Sequence, residues 1–252
     1  MAGALDGFTV VDVTTGAAGA MATMFLSDHG ARVIRVVGTD VAALRADGYV
    51  IWDRGKECVR IELGQVDASQ VERNASTDAF VQLVESADIL VEDLGPSNDG
   101  QRSVDYGWLR QRNSRLVACS ITAYGMRGPW KDEPAIDELV LARVGVLASM
   151  PGFRPAPVHV VHPLPTVGAA ILAALGVSAA LYSREESGQG RKVETSLMAG
   201  ALLYHPKAIG ENFDPYVFQT HPAGSAPFYS GYECADRRPP DPDDALVFCG
   251  FR

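Results

Sequence analysis

A chain of 252 residues with 47% hydrophobic and 21% charged side chains can bury one full core, or one core and part of another, and is too apolar to be disordered. A formal net charge of −9 argues against nucleic-acid binding by bulk electrostatics, so any anionic ligand needs a local basic pocket. No apolar run reaches the ~18 residues of a membrane span, and residues 1–7 carry Asp6 and no basic cluster. The expectation is therefore a cytoplasmic protein with neither a nucleic-acid nor a membrane partner.

In chain order, short β-rich runs alternate with helical patterns, which predicts a Rossmann-like, doubly wound α/β domain. Residues 8–13 (FTVVDV) read as a buried strand, the turn at Gly16–Gly19 follows, and 20–29 read as a helix ended by Gly30. Strands are expected at 32–37, 59–63, 88–92 and 116–121, with helices at 78–86 and 108–112. Beyond this the pattern turns helical: one helix at 137–150 between Pro134 and Pro151, a long small-residue helix at 166–184, and a last one at 196–204. From Pro206 the composition shifts to Pro, Gly, Asp and aromatics, and 237–244 reads as a solvated loop. A strand at 245–249 then stands without a following partner, which reads as an incomplete chain. The expected division is 1–205 for the large domain and 206–252 for a linker and the start of a smaller one. Cys58, Cys119, Cys234 and Cys249 form no C-x-x-C pair, so neither a metal site nor a disulfide framework is expected. Cys58 and Cys119 fall in strand-like runs, where a small buried hydrophobe is the ordinary role.

Six stretches, in this order and with near-ungapped spacing over residues 5–200, together resemble the class III CoA-transferase (CaiB/BaiF) family. They are LDGFTVVDVT, FLSDHGARVIRVV, RGKECVRIEL, ADILVEDLGPS, NSRLVACSITAYGMRGPWKDEPAID and AALGVSAALYSREESGQGRKVETSL. The resemblance implies coenzyme A and acyl-CoA as substrates rather than covalently held cofactors, with a small carboxylic acid as the second substrate. It also implies an interlocked dimer, either a homodimer or a heteromer with a complete paralogue. Family members continue well past this chain's last residue.

The resemblance directs attention to particular residues. The Gly16–Gly19 turn, with Ala17 and Ala18, matches the family's CoA-facing loop, although the same turn equally suits plain strand-to-helix punctuation. Arg54 and Lys56 match a basic CoA contact, and Arg102 and Lys131 are further candidates; the alternative for all four is solvated surface charge. Asp93-Leu94 stands where the family often has Asn-Phe, which puts a carboxylate where an amide would suit a phosphate or adenine better. The family's nucleophilic aspartate, at the start of the small-residue helix, is matched by Thr166, and no acidic residue lies between Glu138 and Glu185. Threonine cannot form a carboxylic anhydride. It can cap the helix as aspartate does, and capping is the structural alternative to any threonine chemistry. The racemase branch's proton carriers are replaced by Ile136 and Thr166. Asp137 remains as a polar site residue or as the cap of the helix that follows it. The expectation is a CoA-transferase family III protein, impaired or inactive alone, or else a non-catalytic subunit that pairs with a complete relative.

Overall fold

The computed structural model describes residues 3–38, 51–62, 65–66, 75–94, 103–149, 159–204, 229–231 and 248–250. Its strands are β1 (Thr9–Asp12), β2 (Arg32–Val37), β3 (Glu57–Arg60), β4 (Gln65–Val66), β5 (Ile89–Glu92), β6 (Ser103–Val104), β7 (Val117–Thr122), β8 (Lys192–Ser196), β9 (Tyr229–Gly231) and β10 (Phe248–Gly250). The helices are α1 (Ala17–Asp28), α2 (Ala75–Ser86), α3 (Tyr106–Arg112), α4 (Asp137–Arg143), α5 (Val146–Ser149), α6 (Leu164–Ser187) and α7 (Leu197–Tyr204).

Six strands form one sheet in the order β3-β2-β1-β5-β7-β8, parallel throughout. The chain winds outward from β1 through β2 and β3, then returns to start the other half at β5. The predicted doubly wound α/β fold is thus present, with its topological switch point between β1 and β5. A parallel sheet must be covered on both faces, and the apolar runs meet that demand. On one face Val10, Val33, Ile89, Val117 and Cys119 pack with side chains of α1, α4, α6 and α7. On the other, Val11, Leu90 and Leu116 pack with Phe80 and Val84 of α2 and Leu109 of α3.

Several expectations need correction. The first helix begins at Ala17, three residues earlier than its pattern suggested, so Ala17 and Ala18 belong to its first turn. The helix expected over 137–150 is broken into α4 and α5 by Gly145, whose φ of 79° lies in the left-handed region. The strand β8 was not anticipated because its Lys-Val-Glu-Thr-Ser sequence carries charges at alternate positions. An edge strand tolerates them, and Lys192 and Glu194 are exposed. The strand near the last residue has a partner after all, upstream of it: β10 pairs antiparallel with β9, apart from the main sheet. Cys58 is exposed rather than buried, whereas Cys119 is buried as expected.

The helix α6 links the two edges of the sheet. Its 24 residues are long and apolar enough to cross a membrane, yet its small-residue face is buried against the sheet and neighbouring helices. Near its end Arg184, 1% exposed, pairs with Asp88 Oδ1 at 3.0 Å and donates to the Arg115 carbonyl at 3.0 Å. Both acceptors precede strands β5 and β7, so this end of α6 is pinned at the amino edge of the sheet. At 1.5 Å per residue, Thr166 then lies roughly 27 Å away, toward the carboxyl edge where open α/β sheets bind ligands. Gly168 of α6 and Gly200 of α7 face each other so closely that a Cβ on either would press into the other's backbone.

Candidate active site

Two clusters lie at the carboxyl edge. The first is at the switch point. Leaving β1, the chain turns through Thr14–Gly16 into α1, and the first helical turn presents N–H groups with no acceptor inside the helix. Asp93, just past β5, accepts from the two N–H groups that lead into this helix, those of Thr15 and the N-cap Gly16. Its Oδ2 accepts from Thr15 N at 2.8 Å and from Gly16 N at 2.6 Å. Burial raises the Asp93 carboxyl to about 6, against these backbone bonds, which lower it; the nearby Asp12 and Glu92 carboxylates push it further up. An aspartate therefore sits where a helix N-terminus could otherwise receive a phosphate.

The second cluster joins α4 to α6. Asp137 does not cap its own helix; the residue before it, Ile136, is the N-cap, and Asp137 opens the first turn. Its carboxylate instead crosses to α6, where Oδ1 accepts from the Thr166 hydroxyl at 2.9 Å and Oδ2 lies 3.4 Å from Thr166 N. Thr166 in turn is not the cap of α6, because the N-cap is Pro163 and Thr166 is the third helical residue. The capping expected of each is corrected: Asp137 supports the α6 N-terminus from another helix, and Thr166 orients that carboxylate. Burial raises the Asp137 carboxyl above the ordinary aspartate value, and the bonds from Thr166 offset part of that shift.

The expected phosphate contacts do not converge. Lys56 is wholly buried beneath α1, with Nζ donating to Thr23 Oγ1 at 2.7 Å, Ala20 O at 2.9 Å and Asp12 Oδ2 at 3.2 Å. Three donors meet three acceptors, so this ammonium has structural work and no free hydrogen to offer. Arg54 is partly exposed and grips Asp28 with two nitrogens, Nε at 3.0 Å. Asp28 ends α1, about 16 Å along the axis from Ala17. Arg54 and Lys56 therefore do not face one place: Lys56 is buried, and Arg54 lies at the end of α1 away from its first turn. Lys131 is exposed in the loop after β7, 3.8 Å from Asp132. Arg102 lies outside the described residues.

Sequence reading missed the partners that hold this edge together. Asp12 is 0% exposed in β1 and also accepts from the Thr14 and Thr23 hydroxyls, each at 2.7 Å. Glu92 ends β5, accepts from the Ser120 hydroxyl and from Leu94 N at 2.6 Å, and has its carboxyl raised by burial. The available signal was a single acid inside an apolar strand run, which demands a partner once buried.

An open, parallel sheet with helices on both faces and a switch point between β1 and β5 defines a doubly wound α/β protein. The chain belongs to CoA-transferase family III, whose sequence model matches residues 5–239. Acetyl-CoA:oxalate CoA-transferase from Acetobacter aceti is 29% identical over 229 residues, covering 82% of this chain and 54% of the relative. Succinyl-CoA:mesaconate CoA-transferase from Haloarcula marismortui is 30% identical, covering 93% and 62%. The chain thus spans little more than half the length of these curated relatives. The crystal structure of Rv3272 from Mycobacterium tuberculosis superposes with a TM-score of 0.73 at 30% identity, covering 82% of this chain and 57% of that one. A CaiB/BaiF family protein from Brucella suis, 21% identical with a TM-score of 0.74, shares the fold.

Proposed function

We propose that this chain handles CoA thioesters, taking part in the movement of CoA between an acyl-CoA and a carboxylic acid, and that alone it is impaired in that transfer. The Thr166–Asp137 pair carries this reading. A hydroxyl occupies the helix-terminal position that the family resemblance gives to a nucleophilic carboxylate, so no anhydride can form at residue 166. Support for the substrate classes comes from the relatives' names, each of which couples a CoA thioester to a carboxylic acid. On this reading CoA is a substrate that enters the carboxyl-edge crevice, with Ala17 and Ala18 at its floor and the Asp93 carboxylate limiting anion binding there. A cytoplasmic location belongs to the same proposal.

A second reading, a non-catalytic subunit beside a complete paralogue, has one observation in its favour. The Chloroflexus aurantiacus relative, 27% identical over 207 residues, is named the alpha subunit of succinyl-CoA–L-malate CoA-transferase. The exposed apolar side chains Ile171, Leu175 and Tyr182 on one side of α6 suit a covering chain in either a homodimer or such a heteromer.

Calorimetry with CoA, combined with mass spectrometry of exchanged thioester in mixtures of acyl-CoA and carboxylic acids, tests the proposal. CoA binding with slow exchange is expected. No CoA binding overturns the CoA-handling reading, and rapid exchange by the isolated chain overturns the impairment.

A further inference from the structure

We propose that Asp137 supplies the nucleophilic carboxylate that residue 166 lacks, with Thr166 as its positioning residue; this rests on the reading of the chain as a handler of CoA thioesters. Place comes first. The Asp137 carboxylate lies one hydrogen bond from the Thr166 side chain, at the N-terminus of α6, with Oδ1 2.9 Å from Thr166 Oγ1. A carboxylate therefore stands beside the very position where none is encoded, carried in from α4.

Its surroundings distinguish it from the other acids of this edge. Asp12 is paired with Lys56, Glu92 accepts from the Ser120 hydroxyl and Leu94 N, and Asp93 accepts from Thr15 N and Gly16 N, so each of these has its oxygens held by partners of its own. Asp137 has no ion-pair partner among the described residues. It is half-buried, so an oxygen lone pair can meet a ligand. The N-terminus of α6 favours the ionised form and any negative charge that develops beside it. Glu138, the nearest other acid in sequence, is exposed and makes no such contact with α6. Burial also raises the Asp137 carboxyl, which makes its anion a better nucleophile than an ordinary solvated aspartate.

The step balances without any further reagent. A carboxylate oxygen of Asp137 attacks the thioester carbonyl carbon, a C–O bond forms, the C–S bond breaks, and CoA leaves as the thiolate with the electron pair. The product is a mixed anhydride on Asp137. The Thr166 hydroxyl keeps its proton throughout and acts only by holding Oδ1, leaving Oδ2, whose contact to Thr166 N is the longer one at 3.4 Å, as the attacking atom.

Hydroxylamine traps an anhydride as a hydroxamate, and peptide mass spectrometry locates it. The full chain is incubated with acetyl-CoA and hydroxylamine, with CoA affinity measured in parallel by calorimetry. The expected result is a hydroxamate on Asp137 that falls at least ~100-fold in Asp137→Asn. Thr166→Ser should keep the adduct, and Thr166→Val should lower it ~10-fold with unchanged CoA affinity, an effect that a merely structural bond would not produce. An adduct elsewhere, or none while CoA binds, overturns the assignment and leaves the CoA reading intact. Failure to bind CoA overturns that reading itself. Because the labelled position is read in the wild-type chain, misfolding of a variant does not obscure the outcome.

Discussion

At the scale of single residues, two basic side chains only two positions apart have opposite fates, and the difference is measurable. Lys56 is buried and neutralises Asp12 inside the sheet, so removing it strands a buried carboxylate. Lys56→Ala should cost about 3–5 kcal/mol of stability by denaturant unfolding. Arg54 meets Asp28 at the surface, with both side chains more than a third exposed, and Arg54→Ala should cost about 0.5 kcal/mol. Equal losses would contradict the buried network. Asp93 makes a pH-dependent claim. Its carboxyl is raised from 3.8 to about 6, chiefly by burial. A group whose folded value lies above its unfolded one adds stability when protonated; that contribution is full below about pH 4 and is lost as pH rises through 6. Asp93→Asn cannot titrate, so thermal melts between pH 4 and 7 should show a smaller loss of stability with rising pH than the wild type. Identical slopes would refute the assigned environment.

At the scale of elements, α6 and α7 meet where Gly168 and Gly200 let two backbones touch. Gly168→Ala should overpack this crossing and cost about 1–3 kcal/mol by denaturant unfolding. An unchanged midpoint would show that the helices sit further apart. This scale also shows what the sequence could reveal. The strands β1, β2, β5 and β7 are apolar runs because both faces of a parallel sheet are covered, and their order with the helices between them is enough to read a doubly wound fold. β8 escaped notice because an edge strand can alternate charges without losing its ladder. The break at Gly145 was hidden inside an otherwise regular helical pattern. Thr166 was legible as a substitution at a helix start, but its bond to Asp137 was not, because the two residues come from different helices and no local periodicity links them. Likewise, the burial of Lys56 depends on Asp12 and Thr23, which only the folded sheet and helix bring beneath it.

At the scale of the whole molecule, the chain is an open parallel sheet with a switch point between β1 and β5, and it belongs to CoA-transferase family III, matched over residues 5–239. Arg184 fixes one end of α6 to the amino edge, which carries Thr166 toward the opposite edge and into reach of Asp137. The carboxylate we propose for this corner arrives from α4 instead of from residue 166. The most direct test compares wild type with Thr166→Asp for exchange of CoA between an acyl-CoA donor and a carboxylic acid, followed by mass spectrometry of the thioesters. Aspartate suits a helix N-terminus, and beside Asp137 it makes a second carboxyl, so the variant should stay folded with one proton shared between the two. Its exchange rate should exceed the wild-type rate, because a carboxylate at residue 166 no longer has to be replaced by the one carried in on α4. A wild-type chain that already exchanges CoA as fast as a folded Thr166→Asp variant would contradict the claim that residue 166 limits this protein.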